Sequence, residues 1–277
     1  MELWVPPGHF YSPIIDRDEV LADAARIWPA DANDVPGVDI GLDRQLALLD
    51  ELDAYLAEMP FDWVAKDGLR YGYGNDQFPV TSGVFTYLVL RRLRPARYLE
   101  IGSGFSSALA LDVNERFFDG TMRCTFVEPY TQRLEGLLRD SDRESVTIVR
   151  SRVQDVDPSV FDALGDGDVL FVDSTHVAKT GSDVNFLVFD VLPRLHPGVV
   201  VHFHDIREGF EYPRVWIDEA RSWNEAYLLR AFLQFNDSFE IMLWDAALAA
   251  AGVDIEARFP PALVQGVGSI WVRRTRR

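Results

Sequence analysis

The chain is poor in cysteine, in basic residues and in long apolar runs, and each shortage removes a class of protein. A single cysteine, Cys124, excludes an intrachain disulfide and any zinc site built on several thiolates. It lies within an apolar run, which marks it as a buried structural thiol. Only 27 lysines and arginines stand against 44 acids, giving a formal charge of −17. A surface that acidic repels phosphate backbones and anionic lipid, so neither nucleic acid nor a membrane is an expected partner. The basic run at the end, "RRTRR", reads as a solvated tail. No apolar stretch approaches the roughly 18 residues needed to span a bilayer. The opening "MELWVPPGHF" lacks the basic-then-apolar layout of a signal peptide, so a cytoplasmic protein is expected.

What the chain does have is 277 residues, 48% of them hydrophobic, which is ample for a packed core. It shows no internal repeat and no low-complexity segment. Residues 1–80 read as an N-terminal helical cap and lid segment. "RDEVLADAARIW" is a short helical pattern, and Leu46, Leu49, Leu52, Leu56 and Met59 form one apolar stripe at helical spacing. "LRYGYGNDQFPV" reads as a glycine-rich loop that closes over a site. Residues 81–277 read as the main domain. There the apolar runs "RYLEI", "MRCTFVE", "VTIV", "DVLFVD" and "VVVHFH" alternate with helical patterns bounded by turn residues. That alternation predicts an α/β fold: a Rossmann-like, doubly wound, mostly parallel sheet covered on both faces. Two closing strands, "FEIMLW" and "GSIWVRR", suit an appended antiparallel pair with no clear helix between them. Ser222 and Glu225 have the spacing of a capping box that opens a long helix.

The stretch "RYLEIGSGFSS", Arg97 to Ser107, runs a strand pattern into two glycines separated by one residue. In an open α/β sheet ligands bind beyond the carboxyl ends of the strands, and this turn is the first such place. The glycines permit a tight turn and close backbone approach, and the helix that follows presents free N–H groups. Glu128 ends the next strand, on the order of twenty residues on, where a carboxylate can take both hydroxyls of a ribose. The plain alternative is that the glycines merely make a tight turn. A nucleoside cofactor fits the combination better, either a dinucleotide or one with an amino-acid end that Glu100 would serve.

At these residues the sequence resembles the class I S-adenosylmethionine-dependent methyltransferases. "LEIGSGFSS" is similar to their first motif, "FVEP" to their second, and "DVLFVDSTH" to the end of their fourth strand. "LPRLHPGVVVHFHD" is similar to their helix, Pro-Gly and fifth-strand signature. The resemblance covers roughly residues 95–275. It implies that Glu100, Gly102, Ser103, Gly104 and Ser106 surround the methionine end of S-adenosylmethionine, with Asp173 placed among them. It implies that Glu128 holds the ribose, and that Gln154, with Val153, meets the adenine.

Four of the five histidines fall between His176 and His204. Asp173 ends the fourth strand, His176 follows three residues on, and His204 and Asp205 end the fifth strand on the same rim. His202 reads as a packed strand residue, His196 as a partner for a helix end, and His9 carries no signal. Two readings of the rim stay open. In one, His204 or His176 is a general base oriented by Asp205 or Asp173. In the other, Asp173, His204 and Asp205 hold a divalent metal. Methyltransferases resembling catechol O-methyltransferase carry an Asp-Asn or Asp-Asp pair after strand five. The His204-Asp205 pair departs from that pattern and favours a borderline ion over magnesium. Tyr212, Trp216 and Asn224 are candidates for an acceptor pocket, with Trp223 in helix packing.

The expected function is methyl transfer from S-adenosylmethionine to a small molecule, at a hydroxyl oxygen. The alternatives are an NAD(P)-dependent oxidoreductase on the same sheet and a non-catalytic cofactor-binding protein. A homo-oligomer is compatible with either, and the sequence leaves that open.

Overall fold

The computed structural model describes residues 3–29 and 34–275, so the last two arginines of the basic tail lie outside the described residues. The chain opens with two short helices, α1 (Arg17–Ala22) and α2 (Ala24–Ile27), then α3 (Leu42–Leu52) and α4 (Val80–Leu93). The alternating part runs β1 (Arg97–Ile101), α5 (Phe105–Phe117), β2 (Arg123–Val127), α6 (Gln132–Leu137), α7 (Asp142–Ser145), β3 (Thr147–Val149), α8 (Ser159–Asp162), β4 (Val169–Val172), α9 (Asp183–Phe186) and β5 (Val200–Phe203). It closes with α10 (Arg214–Asp218), α11 (Glu225–Leu233), β6 (Phe239–Trp244), α12 (Asp245–Ala250), α13 (Ile255–Arg258) and β7 (Ile270–Arg274).

The seven strands form one sheet in the order β3-β2-β1-β4-β5-β7-β6. β1 to β5 are parallel, and β7 inserts antiparallel between β5 and β6. The fold is therefore the expected mostly parallel sheet with an antiparallel closing pair. From β1 the chain winds outward to β2 and β3, then returns to the other side of β1 as β4. The strand order reverses between β1 and β4, and their carboxyl ends part into a crevice.

Strand alternation divides the core into two layers. Tyr98 of β1 and Phe171 of β4 pack with α4 and α5 on one face. Leu99 and Ile101, with Leu170 and Val172, meet Leu187, Val191 and Leu229 on the other. The apolar stripe of α3 behaves as its spacing predicts: Leu49 and Leu52 are buried, and Leu46, Leu56 and Met59 pack against the same layer. The proposed boundary at residue 80 falls on the first residue of α4. Leu49, Leu52 and Phe61 before it share one core with the sheet.

Three local readings differ from the structure. No helix was expected at α4, yet every residue from Val80 to Arg91 is buried there. A helix buried all round has no polar stripe, so it carries no periodic signal. Two short helices, α12 and α13, occupy the connection between the closing strands. In the glycine-rich loop, Tyr71 and Tyr73 are core residues rather than lid. Gly72 lies so close to a neighbouring segment that a Cβ there would meet the backbone nitrogen of Ala65 at 2.6 Å. Backbone packing, not hinge motion, explains this glycine. Among the described residues no helix is long and apolar enough to cross a membrane.

Candidate active site

The turn after β1 opens onto two adjoining cavities that share Gly102, Glu128, Asp173, Ser174 and Thr175 in their walls. Each encloses about 420 Å³. The first is lined by Ile101, Val127, Val153 and Gln154 and is mostly apolar. The second is polar and runs from Ser103–Ser106 past Gln77 and Arg133 to His176, His204, Asp205, Arg221 and Trp223.

Gly102 has φ +81°, and a Cβ there would lie 1.8 Å from the carbonyl oxygen of Asp173. The close approach of the β4 end therefore requires this glycine, whatever the ligand. Gly104 donates its N–H to Ser107 Oγ at 3.1 Å, which closes the start of α5. A Cβ on Gly104 would meet the flexible Arg133 side chain. Glu128 is half-buried at the junction of the two cavities. Its carboxylate accepts N–H bonds from Ser103 at 3.2 Å and Tyr130 at 2.7 Å. Gln154 donates to the carbonyl of Gly181 at 2.9 Å, across the apolar cavity.

Glu100 is placed differently from the expectation. It is fully buried and lines neither cavity, and one of its oxygens accepts a short bond from Ser106 Oγ. Burial pushes its carboxyl up to about 8, against the bonds from Ser106 and Ser107. Ser106 serves Glu100 in turn, so both support the turn from below. Ser103 Oγ and Ser174 Oγ, in contrast, are buried in the polar cavity wall without a hydrogen-bond partner.

The rim residues converge as the sequence suggested. His176 Nε2 lies 3.4 Å from Asp173 and 3.7 Å from Asp205. His204 Nδ1 lies 3.6 Å from Asp173 and 3.4 Å from Asp205. Two positively charged imidazoles fit this ring of carboxylates. Burial alone would lower His204, but Asp205 and Asp173 raise it to about 9. Burial likewise opposes the charge on His176, and Asp173 and Glu225 hold it well above the usual range. The same imidazoles hold Asp173 and Asp205 below the ordinary carboxylate range despite burial. His176 and Asp205 both have left-handed backbone, at φ 59° and 61°. Such conformations in non-glycine residues cluster at functional sites. His202 is the packed residue expected, stacked on Phe171 at 3.8 Å and held neutral by burial.

The supporting shell escaped the sequence. Glu225 does not close a capping box; no side chain caps α11. Its carboxylate turns instead to His176 Nδ1 at 2.8 Å. The backbone N–H groups of Asn224 and Glu225 both donate to the carbonyl of His176, and Asn224 Oδ1 accepts from Ala178. The start of α11 thus grips the loop after β4. Ser82, in the unforeseen α4, meets His204 Nε2 at 3.1 Å. Of the aromatic candidates, Trp223 lines the polar cavity, 4.3 Å from His176. Tyr212, Trp216 and Asn224 do not line it. The Tyr212 hydroxyl is taken by the Ala226 N–H, and Trp216 packs edge-on against Trp223. From the loop before α4, Asp76, Gln77 and Phe78 do reach the cavity.

A family model described as a methyltransferase domain matches residues 99–206, from β1 through the rim. An uncharacterized protein of Archaeoglobus fulgidus is 33% identical over 164 residues, 57% of this chain and 73% of that one. Among solved structures, the O-methyltransferase TomG of Streptomyces achromogenes is 15% identical, with 83% of this chain and 90% of that one covered and a TM-score of 0.46. The Podospora anserina methyltransferase PaMTH1 is 13% identical, with both chains covered in full and a TM-score of 0.45. At such distances neither neighbour speaks to the acceptor used here. The methyltransferase-domain match, on a chain with this strand order and this turn, gives the family: the protein belongs to the class I S-adenosylmethionine-dependent methyltransferases.

Proposed function

We propose that the protein transfers a methyl group from S-adenosylmethionine to a hydroxyl oxygen of a small polar molecule. The observation that carries this reading is the position of Glu128. Its carboxylate stands where an apolar cavity suited to a purine meets a polar one suited to an amino-acid end. The hydroxyls of Ser103 and Ser174, buried without a partner in residues that line the polar cavity, support the same ligand, because buried polar atoms need a partner.

Glu128 would hold the ribose, Val153 and Gln154 the base, and the Gly102–Ser106 turn the methionine portion. When bound, the cofactor supplies a methyl group on a sulfonium, which departs as a neutral thioether and needs no acid. The remaining work of this chain is to place the acceptor oxygen in line and to receive its proton. Trp223 and Gln77 wall the space for the acceptor, and Arg133 and Arg221 add positive charge at its edge. The cluster of Asp173, His176, His204 and Asp205 lies on the same rim, and His204 would receive that proton once it has lost its own, as the pH rises toward about 9. The polar lining supports a hydrophilic acceptor over an apolar one.

Titration calorimetry with S-adenosylhomocysteine tests the cofactor site. Glu128→Ala should weaken binding by about ten- to a hundredfold, or roughly 1.5–3 kcal/mol. A folded variant with unchanged affinity would overturn the assignment. Thermal stabilisation by NAD(H) but not by S-adenosylhomocysteine would replace the reading with an oxidoreductase. A screen of labelled methyl transfer to sugar and phenolic hydroxyls tests the acceptor class.

A further inference from the structure

Arg221 lines the polar cavity, held in place by the protein but only partly used by it. It stands on the loop between α10 and α11, and that loop is tied at both ends. The Arg221 N–H donates to the Trp216 carbonyl at 2.9 Å, and the Asn224 and Glu225 N–H groups donate to the carbonyl of His176. The guanidinium lies against two indoles, 4.9 Å from the ring of Trp216 and 4.8 Å from that of Trp223. Stacking of this kind restricts a long side chain and leaves its edge free for hydrogen bonds. Glu219 takes that edge at Nε alone, at 2.7 Å. The two terminal nitrogens meet no acceptor among the described residues, although the side chain is only 36% exposed.

The other charges of the cavity have counterparts. Asp173 and Asp205 face the two charged imidazoles, and the proposed ribose contact occupies Glu128. Arg133 arches over the turn, its Cδ 3.1 Å from the place a Cβ on Gly104 would take. There the carboxylate of the cofactor's amino-acid end matches it. Nothing in the cofactor remains for Arg221, which lies on the acceptor side beside Trp223. We propose that Arg221 receives an anionic group of the acceptor, a carboxylate or a phosphate, through two parallel bonds from its terminal nitrogens. The planar fork of the guanidinium matches either oxyanion.

The inference rests on the methyl-transfer reading and names the class of acceptor that reading leaves open. Trp223 touches Arg221 and also, at 4.3 Å, His176. The anionic group and the reacting hydroxyl therefore fall within the reach of one small molecule, such as a hydroxy acid or a phosphorylated polyol. On a chain of net charge −17 most of the surface repels an anion, and a preorganised arginine is what admits one. The lining carboxylates Asp76 and Glu128 disfavour the anionic end elsewhere along the wall, so Arg221 also fixes which way round the acceptor enters.

The test pairs acceptors that differ mainly in charge: 4-hydroxybenzoate with its methyl ester, glucuronate with glucuronamide, and glucose 6-phosphate with glucose. Each is offered to the full chain with labelled S-adenosylmethionine, and calorimetry measures its binding to protein saturated with S-adenosylhomocysteine. In at least one pair the anionic member should show an affinity or kcat/KM at least about tenfold higher, a comparison that needs no variant to fold. Arg221→Met keeps an apolar stem over the indoles and should narrow that preference by about 10- to 100-fold, mainly through KM. Arg221→Lys should restore part of it. The pair that responds distinguishes carboxylate from phosphate. Neutral members that bind as well as anionic ones overturn the proposal, and so does a panel in which no anionic member binds. A preference that a folded Arg221→Met protein keeps in full overturns it too. Any of these results in protein that binds S-adenosylhomocysteine refutes this inference alone and leaves methyl transfer standing. Protein that does not bind S-adenosylhomocysteine refutes the underlying reading, and this inference with it.

Discussion

Two clusters of buried charge, one around Arg70 and one around His176, use the same residue types to opposite ends. Arg70 is 4% exposed and donates to Asp112, Asp142 and Glu115. The two aspartates also accept backbone N–H bonds, Asp112 from Arg70 and Tyr71 and Asp142 from Arg139. None of these carboxylate oxygens is left without a donor. Around His176 the contacts are looser. Three carboxylates share two imidazoles, mostly at 3.4–3.7 Å, and His204 Nδ1 and Glu225 Oε1 have no partner. The first arrangement is complete in itself and fixes the loop before α4 to α5. The second leaves His204 Nδ1 and Glu225 Oε1 without a partner from the protein itself. Saturation of a buried polar cluster is thus a guide to its purpose, since an unfilled valence in a packed interior is costly unless a ligand fills it.

The comparison breaks most visibly at Arg70. Arg70→Met keeps the volume and removes the charge, leaving Asp112 and Asp142 buried and uncompensated. Urea unfolding should show a loss of about 3–5 kcal/mol. A loss below about 1 kcal/mol would mean that the network is ornamental and that saturation is a poor guide.

Neither cluster was equally open to the sequence. The rim was legible because its parts stand at strand ends, where the two-residue alternation and the fold class place Asp173, His204 and Asp205 together. The turn after β1 was legible for the same reason: strand, glycines and helix start are consecutive. What joins the site to the rest was not. Glu225 lies 49 residues from His176, and its spacing from Ser222 imitates a local cap. Ser82 lies 122 residues from His204 on a helix whose uniform burial erased its periodicity. Arg70 reaches Asp112 and Asp142 across 42 and 72 residues. Elements announce themselves through neighbours in the chain, whereas second-layer contacts are products of topology.

Asp245 sharpens the comparison, being a third buried charge of intermediate kind. One oxygen accepts the Gly268 and Ser269 N–H groups at 2.8 Å, and the other is unpartnered. Burial raises its carboxyl to about 7, against those backbone bonds. For an acid raised in the folded state, the stabilising contribution is whole below about pH 4 and is lost as pH climbs through about 7. The span is about three units, or at most roughly 4 kcal/mol across that window. Asp245→Asn keeps the accepting oxygen and removes the titration. Its unfolding free energy should therefore lack this decline between pH 4 and 8, and exceed that of the wild type at pH 8. Parallel pH profiles for the two proteins would show that Asp245 is not the group responsible.

The smallest stability effect should come from the rim, where the functional loss is greatest. Asp205→Asn changes one atom at a residue whose left-handed backbone, φ 61°, asparagine adopts as readily as aspartate. The carboxylate is 21% exposed to the cavity, and its contacts with His204 and His176 are longer than hydrogen bonds. Partial solvation screens those charges, so the substitution should alter unfolding free energy by no more than about 1 kcal/mol in either direction. Methyl transfer should nevertheless fall by about 10²–10⁴-fold, whether the carboxylate binds a cation or orients a base. S-adenosylhomocysteine affinity should fall far less than transfer, because Asp205 does not line the apolar cavity where the base would sit. A destabilisation comparable to that of Arg70→Met, with transfer falling only in proportion to the unfolded fraction, would place the rim among the structural clusters. Retained stability with lost transfer would separate the two kinds of buried charge by a single atom.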